Sequence, residues 1–206
     1  MDLNNSRLNV LAKITKADGP NIDANTAGLI SLTLHSMVRQ ISWELNVRNV
    51  GDTSQLYPYR SNLKTLYNFC KETQQTRLKC KGWTKDTTGH MGVTVVNWNN
   101  SSLNDRVATF ARSTLVKLIG RPYLDVFNQE RLIPPNIDLH MMLMPSPTNF
   151  VCKSTAPGKG ALQANYKLVM ESINLIIRKK ELTSTAHDAL MNLLVQQNMQ
   201  HHLSRV

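Results

Sequence analysis

Leu8-Asn9-Val10-Leu11-Ala12-Lys13-Ile14-Thr15-Lys16 alternates apolar and polar positions through its middle and predicts a β-strand. Ala17-Asp18-Gly19-Pro20 ends it with turn chemistry. Asn25 or Thr26 caps a predicted short helix through Leu34. Ile41, Trp43, Leu45 and Val47 then share one face of a second strand. The clearest helical pattern opens at Tyr57-Pro58-Tyr59-Arg60, where proline fits the first turn. Leu63, Leu66, Tyr67 and Cys70 follow at helical spacing, and Leu63 and Leu66 are expected in the core.

From Lys71 to Asn104 the chain is polar and irregular, apart from Met91 to Val96, and suggests a surface excursion. Strands are predicted at Leu115 to Ile119, Leu124 to Phe127 and Ile137 to Met144, with Pro134-Pro135-Asn136 breaking the chain before the third. Ala156-Pro157-Gly158-Lys159-Gly160 reads as a turn or loop. Tyr166 to Met170 and Ile173 to Ile177 read as two more strands. Glu181 to Gln197 is a predicted terminal helix, capped by Thr183 or Ser184, with Ala186, Leu190, Leu193 and Leu194 as its stripe. Seven or eight short strands with two or three inserted helices, and no βαβ alternation, predict a mainly β, antiparallel sandwich or jelly-roll.

A length of 206 residues suits one domain, residues 1–206, large enough to bury a core without staples. The net charge of +10 favours anionic partners. The basic residues are dispersed, however; the tightest clusters are Arg178-Lys179-Lys180 and the pair Lys79 and Lys81. A solvated basic surface and a nucleic-acid contact both fit. Cys70, Cys80 and Cys152 make no disulfide framework and no CxxC metal pair, and read as reduced thiols. Met1 to Arg7 has no apolar signal core, and no apolar run nears the ~20 residues of a membrane span. A soluble protein made in the cytosol, or delivered from there to a nucleus, is expected.

The six histidines suggest no metal site: His35, His90, His140 and His187 are scattered, and His201-His202 lacks acidic or cysteine companions. Pro157-Gly158-Lys159-Gly160 lacks the earlier glycine and the hydroxyl of a phosphate loop. Lys85-Asp86-Thr87-Thr88-Gly89 reads as a turn. No G-x-S-x-G elbow occurs. Neither a cofactor nor enzymatic activity is expected.

Several segments, taken in order, carry a resemblance. They are Leu8 to Gly19, ending Ala12-Lys13-Ile14-Thr15-Lys16-Ala17-Asp18-Gly19; Leu34-His35-Ser36-Met37; Tyr57-Pro58-Tyr59-Arg60 with its helix Leu63 to Phe69; and Trp83-Thr84-Lys85-Asp86-Thr87-Thr88-Gly89-His90-Met91. Next comes Leu118-Ile119-Gly120-Arg121-Pro122-Tyr123-Leu124-Asp125-Val126-Phe127-Asn128-Gln129-Glu130-Arg131-Leu132, and last Ile176-Ile177-Arg178-Lys179-Lys180-Glu181-Leu182, with Ala186-His187 after it. Together the chain resembles the double jelly-roll major capsid (hexon) protein of Polinton or Maverick elements and the related adintoviruses.

The resemblance implies a structural protein of the virion, with two jelly-rolls per chain, forming homotrimers of pseudo-hexagonal outline that tile an icosahedral shell. Its implied partners are copies of itself, neighbouring capsomers and a penton protein, with weak or no specific nucleic-acid binding. Synthesis in the host cytoplasm is implied, with assembly there or in the nucleus. This chain would supply an incomplete first jelly-roll, lacking the family's opening strand, and in isolation is expected to aggregate through an open sheet edge. Lys71 to Asn104 is the expected contact loop. Arg60, Asp125, Glu130 and Arg131 form either a buried charged network or ordinary surface ions. Two departures suggest an endogenised or degraded copy. Asn46-Val47-Arg48-Asn49 stands where the family tends to have an Asn-Gly turn, and Val47 would resist the positive φ needed there. The surroundings of Cys152-Lys153 are also unusually basic. The alternative is a basic nucleic-acid-binding domain without catalysis.

Overall fold

A computed structural model describes residues 1–51, 54–93, 99–154 and 165–196. The alternation at the chain start becomes a long strand, β1 (Asp2–Lys16), six residues longer than its apolar pattern suggests. Its side chains at Leu8, Val10, Ala12 and Ile14 are buried on one face, as a period of two requires. On either side of β1 lie β5 (Val116–Gly120) and β8 (Tyr166–Arg178), both antiparallel to it. The two predicted strands at 166–177 are thus one, which keeps pairing across a register shift between Leu11 and Ala12.

Two smaller sheets complete the β structure. β2 (Ala27–Leu29) pairs with β7 (Cys152–Ser154), and β3 (Val38–Leu45) lies between β4 (Arg48–Asn49) and β6 (Leu139–Pro145). All pairings are antiparallel. The first strand pairs with the eighth, the second with the seventh and the third with the sixth.

The helices are α1 (Thr33–Ser36), α2 (Tyr57–Asn68), α3 (Lys71–Gln75), α4 (Ser101–Thr109), α5 (Thr148–Val151) and α6 (Ser184–Gln196). Helix and strand occur in equal shares, about 32% each, so the expected mainly β composition becomes a mixed one with small sheets. No described helix is long and apolar enough to cross a membrane.

Several local expectations change. The helix expected over 26–34 is a short strand and one helical turn, because Asn25 and Leu32 take φ of 62° and 58° and bend the chain at both ends of β2. Leu124 to Phe127 is not a strand: Asp125–Asn128 is a 3-10 turn that buries Val126 and Phe127. α4, α5 and β7 were not anticipated. Asn100 caps α4 by accepting the Leu103 amide at 3.3 Å, and Leu103 and Val107, four apart, are buried. The glycine-rich loop at 156–160 lies outside the described residues.

The largest correction concerns α2. Its apolar stripe faces solvent, with Leu63 53% exposed and Tyr67 83% exposed. The buried positions are Tyr57, Pro58, Ser61 and Thr65. Ser61 and Thr65 satisfy their hydroxyls by donating to carbonyls four residues back, at 2.7 and 2.9 Å, so they bury at little cost. The stripe of α6 is likewise not enclosed: Ala186 and Leu193 are exposed. Between α6 and the turn at Leu132–Asn136 lies an open cleft of about 860 Å³.

The β3–β4 hairpin turns on two residues, Asn46 and Val47, with φ of 45° and 68°. The chain adopts the Asn-Gly-type turn despite carrying a β-branched residue where glycine fits.

Candidate functional site

The residues singled out from the sequence fall mainly into three packed clusters. The first surrounds His35 in α1. His35 is 1% exposed, and its ring stacks on Tyr123 with centroids 4.3 Å apart. Its Nδ1 lies 2.7 Å from the Tyr57 hydroxyl. That hydroxyl also accepts the Tyr123 amide at 3.2 Å. Its Nε2 is buried with no hydrogen-bond partner among the described residues. Burial, and then Lys81, hold His35 well below its usual range, and burial raises Tyr57. The Thr65 hydroxyl lies 3.2 Å from that of Tyr123, and Lys81 Nζ donates to the Tyr123 oxygen at 3.1 Å. Burial, helped by Arg121 and Arg7, pushes Lys81 down to about 8. Gly120 lies close against this cluster: a Cβ there would meet Leu34 and Lys81 side-chain atoms at 2.8 Å and oblige them to shift.

The second cluster fixes the Trp83–Gly89 segment. Trp83 is buried in the core. Arg106 of α4, 3% exposed, spends its guanidinium on Leu29 O at 2.8 Å, Thr84 Oγ1 at 2.7 Å and Asp86 Oδ1 at 2.6 Å. Asn100 Nδ2 donates to the same Asp86 oxygen at 3.1 Å. Lys85 is exposed, and its backbone carbonyl accepts the Ser102 hydroxyl. Gly89 sits in an exposed turn at φ 81°. The expected excursion over 71–104 is therefore tied down by Trp83, Leu78 and the Asp86–Arg106 pair. Arg106 and Asn100 escaped sequence reasoning, although the Asn-Ser-Ser-Leu start of α4 is a capping signal.

The third cluster joins α2 to the 3-10 turn at Asp125. Arg60 Nη2 reaches Asp125 Oδ2 at 3.0 Å and Lys64 Nζ reaches Oδ1 at 3.2 Å. Phe127 is fully buried, edge-on to Trp43 at 5.1 Å. Pro58 is buried, while Tyr59 is exposed with its ring 5.6 Å from Phe150. Of the four charges proposed to act together, Arg60 pairs with Asp125; Glu130 and Arg131 are exposed, with Gln129 half-buried beside them. Arg121 donates to Asn4, and Arg178 is exposed, its amide donating to Ser6 Oγ at 3.2 Å.

These arrangements position loops. The buried His35 is sealed by aromatic rings. Among the described residues no three His, Cys, Asp or Glu side chains converge as a metal site would need. Comparisons with known proteins returned no match to a family model, a curated protein or a solved structure.

Proposed function

We propose that the chain is a shell-building structural protein, a jelly-roll module of a viral capsid of the double jelly-roll kind its motifs resemble. It would act by association with copies of itself and not by catalysis. The observation that carries this reading is the nested pairing of β1 with β8, β2 with β7 and β3 with β6. A jelly-roll is a long antiparallel hairpin rolled up, and nesting of first with last, second with next-to-last is what rolling leaves behind. The exposed stripe of α2 supports it further: Tyr59, Leu63, Leu66 and Tyr67 form an apolar face that contact between copies would cover.

In this reading the three clusters are the scaffold of the loops, and the loops and α2 meet neighbours in a homotrimer and between capsomers. The test is light scattering behind size exclusion over a wide concentration range, with negative-stain microscopy of the largest species. Trimers or closed assemblies, lost on Leu63→Asp with Tyr67→Asp, are the expected result. A protein that stays monomeric at every concentration, with both variants indistinguishable from it, would sink the proposal.

A further inference from the structure

Charge that is dispersed along the chain is gathered by the fold at one end of the β5–β1–β8 sheet. Leu8 stands opposite Gly120, so Arg7 and Arg121 follow side by side on neighbouring strands. Both guanidinium groups donate to the carbonyl of Asn4, at 3.2 and 3.4 Å. β8 ends at the same place: Arg178 pairs in register with Asp2, and Lys179 and Lys180 continue from it. Lys81, anchored on Tyr123, is close enough to Arg7 and Arg121 for both to depress its pKa. Two sequence-distant basic clusters thus meet.

Acids neutralise them only in part. Asp2 accepts from Asn5 and stands 4.0 Å from Lys180; Glu181 follows Lys180 in the chain, and Asp188 lines one cleft with Lys179 and Lys180. Six cations against these three acids leave an excess of three charges. Neither Arg7, Lys81 nor Arg121 makes a salt bridge among the described residues. Like charges held this close repel, and a bound anion relieves them.

We propose that this end of the sheet binds the phosphate backbone of nucleic acid without reading its sequence. Strands about 4.8 Å apart spread the cations over about 10 Å, the length of three phosphates at about 3.4 Å each along one strand of a duplex. Three of the six are arginines, whose forks suit phosphate oxygens. The aromatic ring nearest them, Tyr123, is buried, so no base-stacking platform accompanies the charge. The inference stands on this charge geometry and does not need the shell reading.

The experiment is fluorescence anisotropy of a labelled duplex of arbitrary sequence, titrated with the full chain across a salt series. Lys179→Ala with Lys180→Ala is compared with Arg39→Ala with Lys167→Ala; all four residues are exposed, and each pair removes two charges. Each lost phosphate contact lowers the slope of log K against log salt by about 0.9, so the first pair should lower it by about 1.8 and the second leave it unchanged. Equal losses from both pairs would mean diffuse attraction and overturn the proposal, as would no binding at about 50 mM salt. Tighter binding of polyglutamate than of the duplex would overturn it in favour of an acidic protein partner. A strictly monomeric chain that still shows the site-specific slope would defeat the shell reading and leave this one standing.

Discussion

Replacing Asp86 by alanine strips Arg106 of its only carboxylate. The guanidinium keeps the Leu29 and Thr84 oxygens, but its charge stays buried, since the Arg106 side chain is 4% exposed and that of Asp86 18%. Removing one partner of a buried pair costs about 3–5 kcal/mol. Asn100 also loses an acceptor. Asp125 makes the control. It too is a motif residue in an ion pair, with Arg60 and Lys64, but the three side chains are 21–26% exposed and water screens them. Asp125→Ala should cost about 1 kcal/mol or less. Urea unfolding followed by the fluorescence of buried Trp43 and Trp83 reads the difference. With a slope of about 2 kcal/mol per M, Asp86→Ala should lower the midpoint by about 1.5–2.5 M and Asp125→Ala by about 0.5 M at most. In an Arg106→Met background, removal of Asp86 should cost about 1 kcal/mol or less, because no buried charge is left behind. Equal midpoints for Asp86→Ala and Asp125→Ala would refute the claim that burial separates these two pairs.

His35 has its pKa depressed by folding, so the unfolded chain binds the proton more tightly. Stability is then complete above the unfolded value of about 6.5 and falls below it by up to about 1.4 kcal/mol per pH unit. Urea midpoints at about pH 7.5 and about pH 5.5 should differ in the native protein, and the gap should narrow in His35→Phe; an unchanged gap would assign it to other groups. Val47, 93% exposed at φ 68°, loses no packing on Val47→Gly. Relief of a left-handed conformation costing about 1–2 kcal/mol, less the added freedom of glycine when unfolded, should stabilise by up to about 1 kcal/mol; a lower melting temperature would show the turn is unstrained. Leu63→Ala should change monomer stability by about 0.5 kcal/mol or less, against about 2–5 for a core leucine such as Leu34, and a core-sized loss would mean the stripe is covered within the monomer.

The elements legible in the sequence are those whose pattern is local and whose burial is apolar. β1, β3, β5 and β6 show in alternation, and α2 and α6 in helical spacing and capping signals. What escaped was set by distant partners. β2 is three residues long and exists because Cys152–Ser154 lies opposite. The wrong face of α2 was assigned because hydrophobicity was taken as the measure of burial. In the fold, hydroxyls that bond their own helix reach Tyr123, and the leucines are left outside. Of the candidate site residues, Tyr57, Trp83, Gly120 and Phe127 pack in the core or against it. The partners that hold the motifs, the His35 ring against Tyr57 and Tyr123 and the Arg106 guanidinium, follow from tertiary contacts spanning 20 to 88 residues and leave no local trace.

Nesting also dictates how such a chain can close its sheets. Lys16 pairs with Tyr166, about 150 residues away, and a loop of that length is entropically costly to form directly. Once Ala27 lies opposite Ser154, only the segments from Lys16 to Ala27 and from Ser154 to Tyr166 remain open, about 23 residues together. The loop-entropy relation then lowers the closure cost by about 1.7 kcal/mol, roughly a seventeenfold gain in the local encounter. The same reasoning puts β3–β6 before β2–β7. Assembly from the inside outward is therefore the expected route, with the longest strand joining last although it carries the largest sheet. Pulsed hydrogen exchange during refolding distinguishes the orders: amides of Ile41 and Trp43 should be protected before those of Val10 and Ile14, and simultaneous or reversed protection would mean that the apolar face of β1 drives collapse ahead of topology.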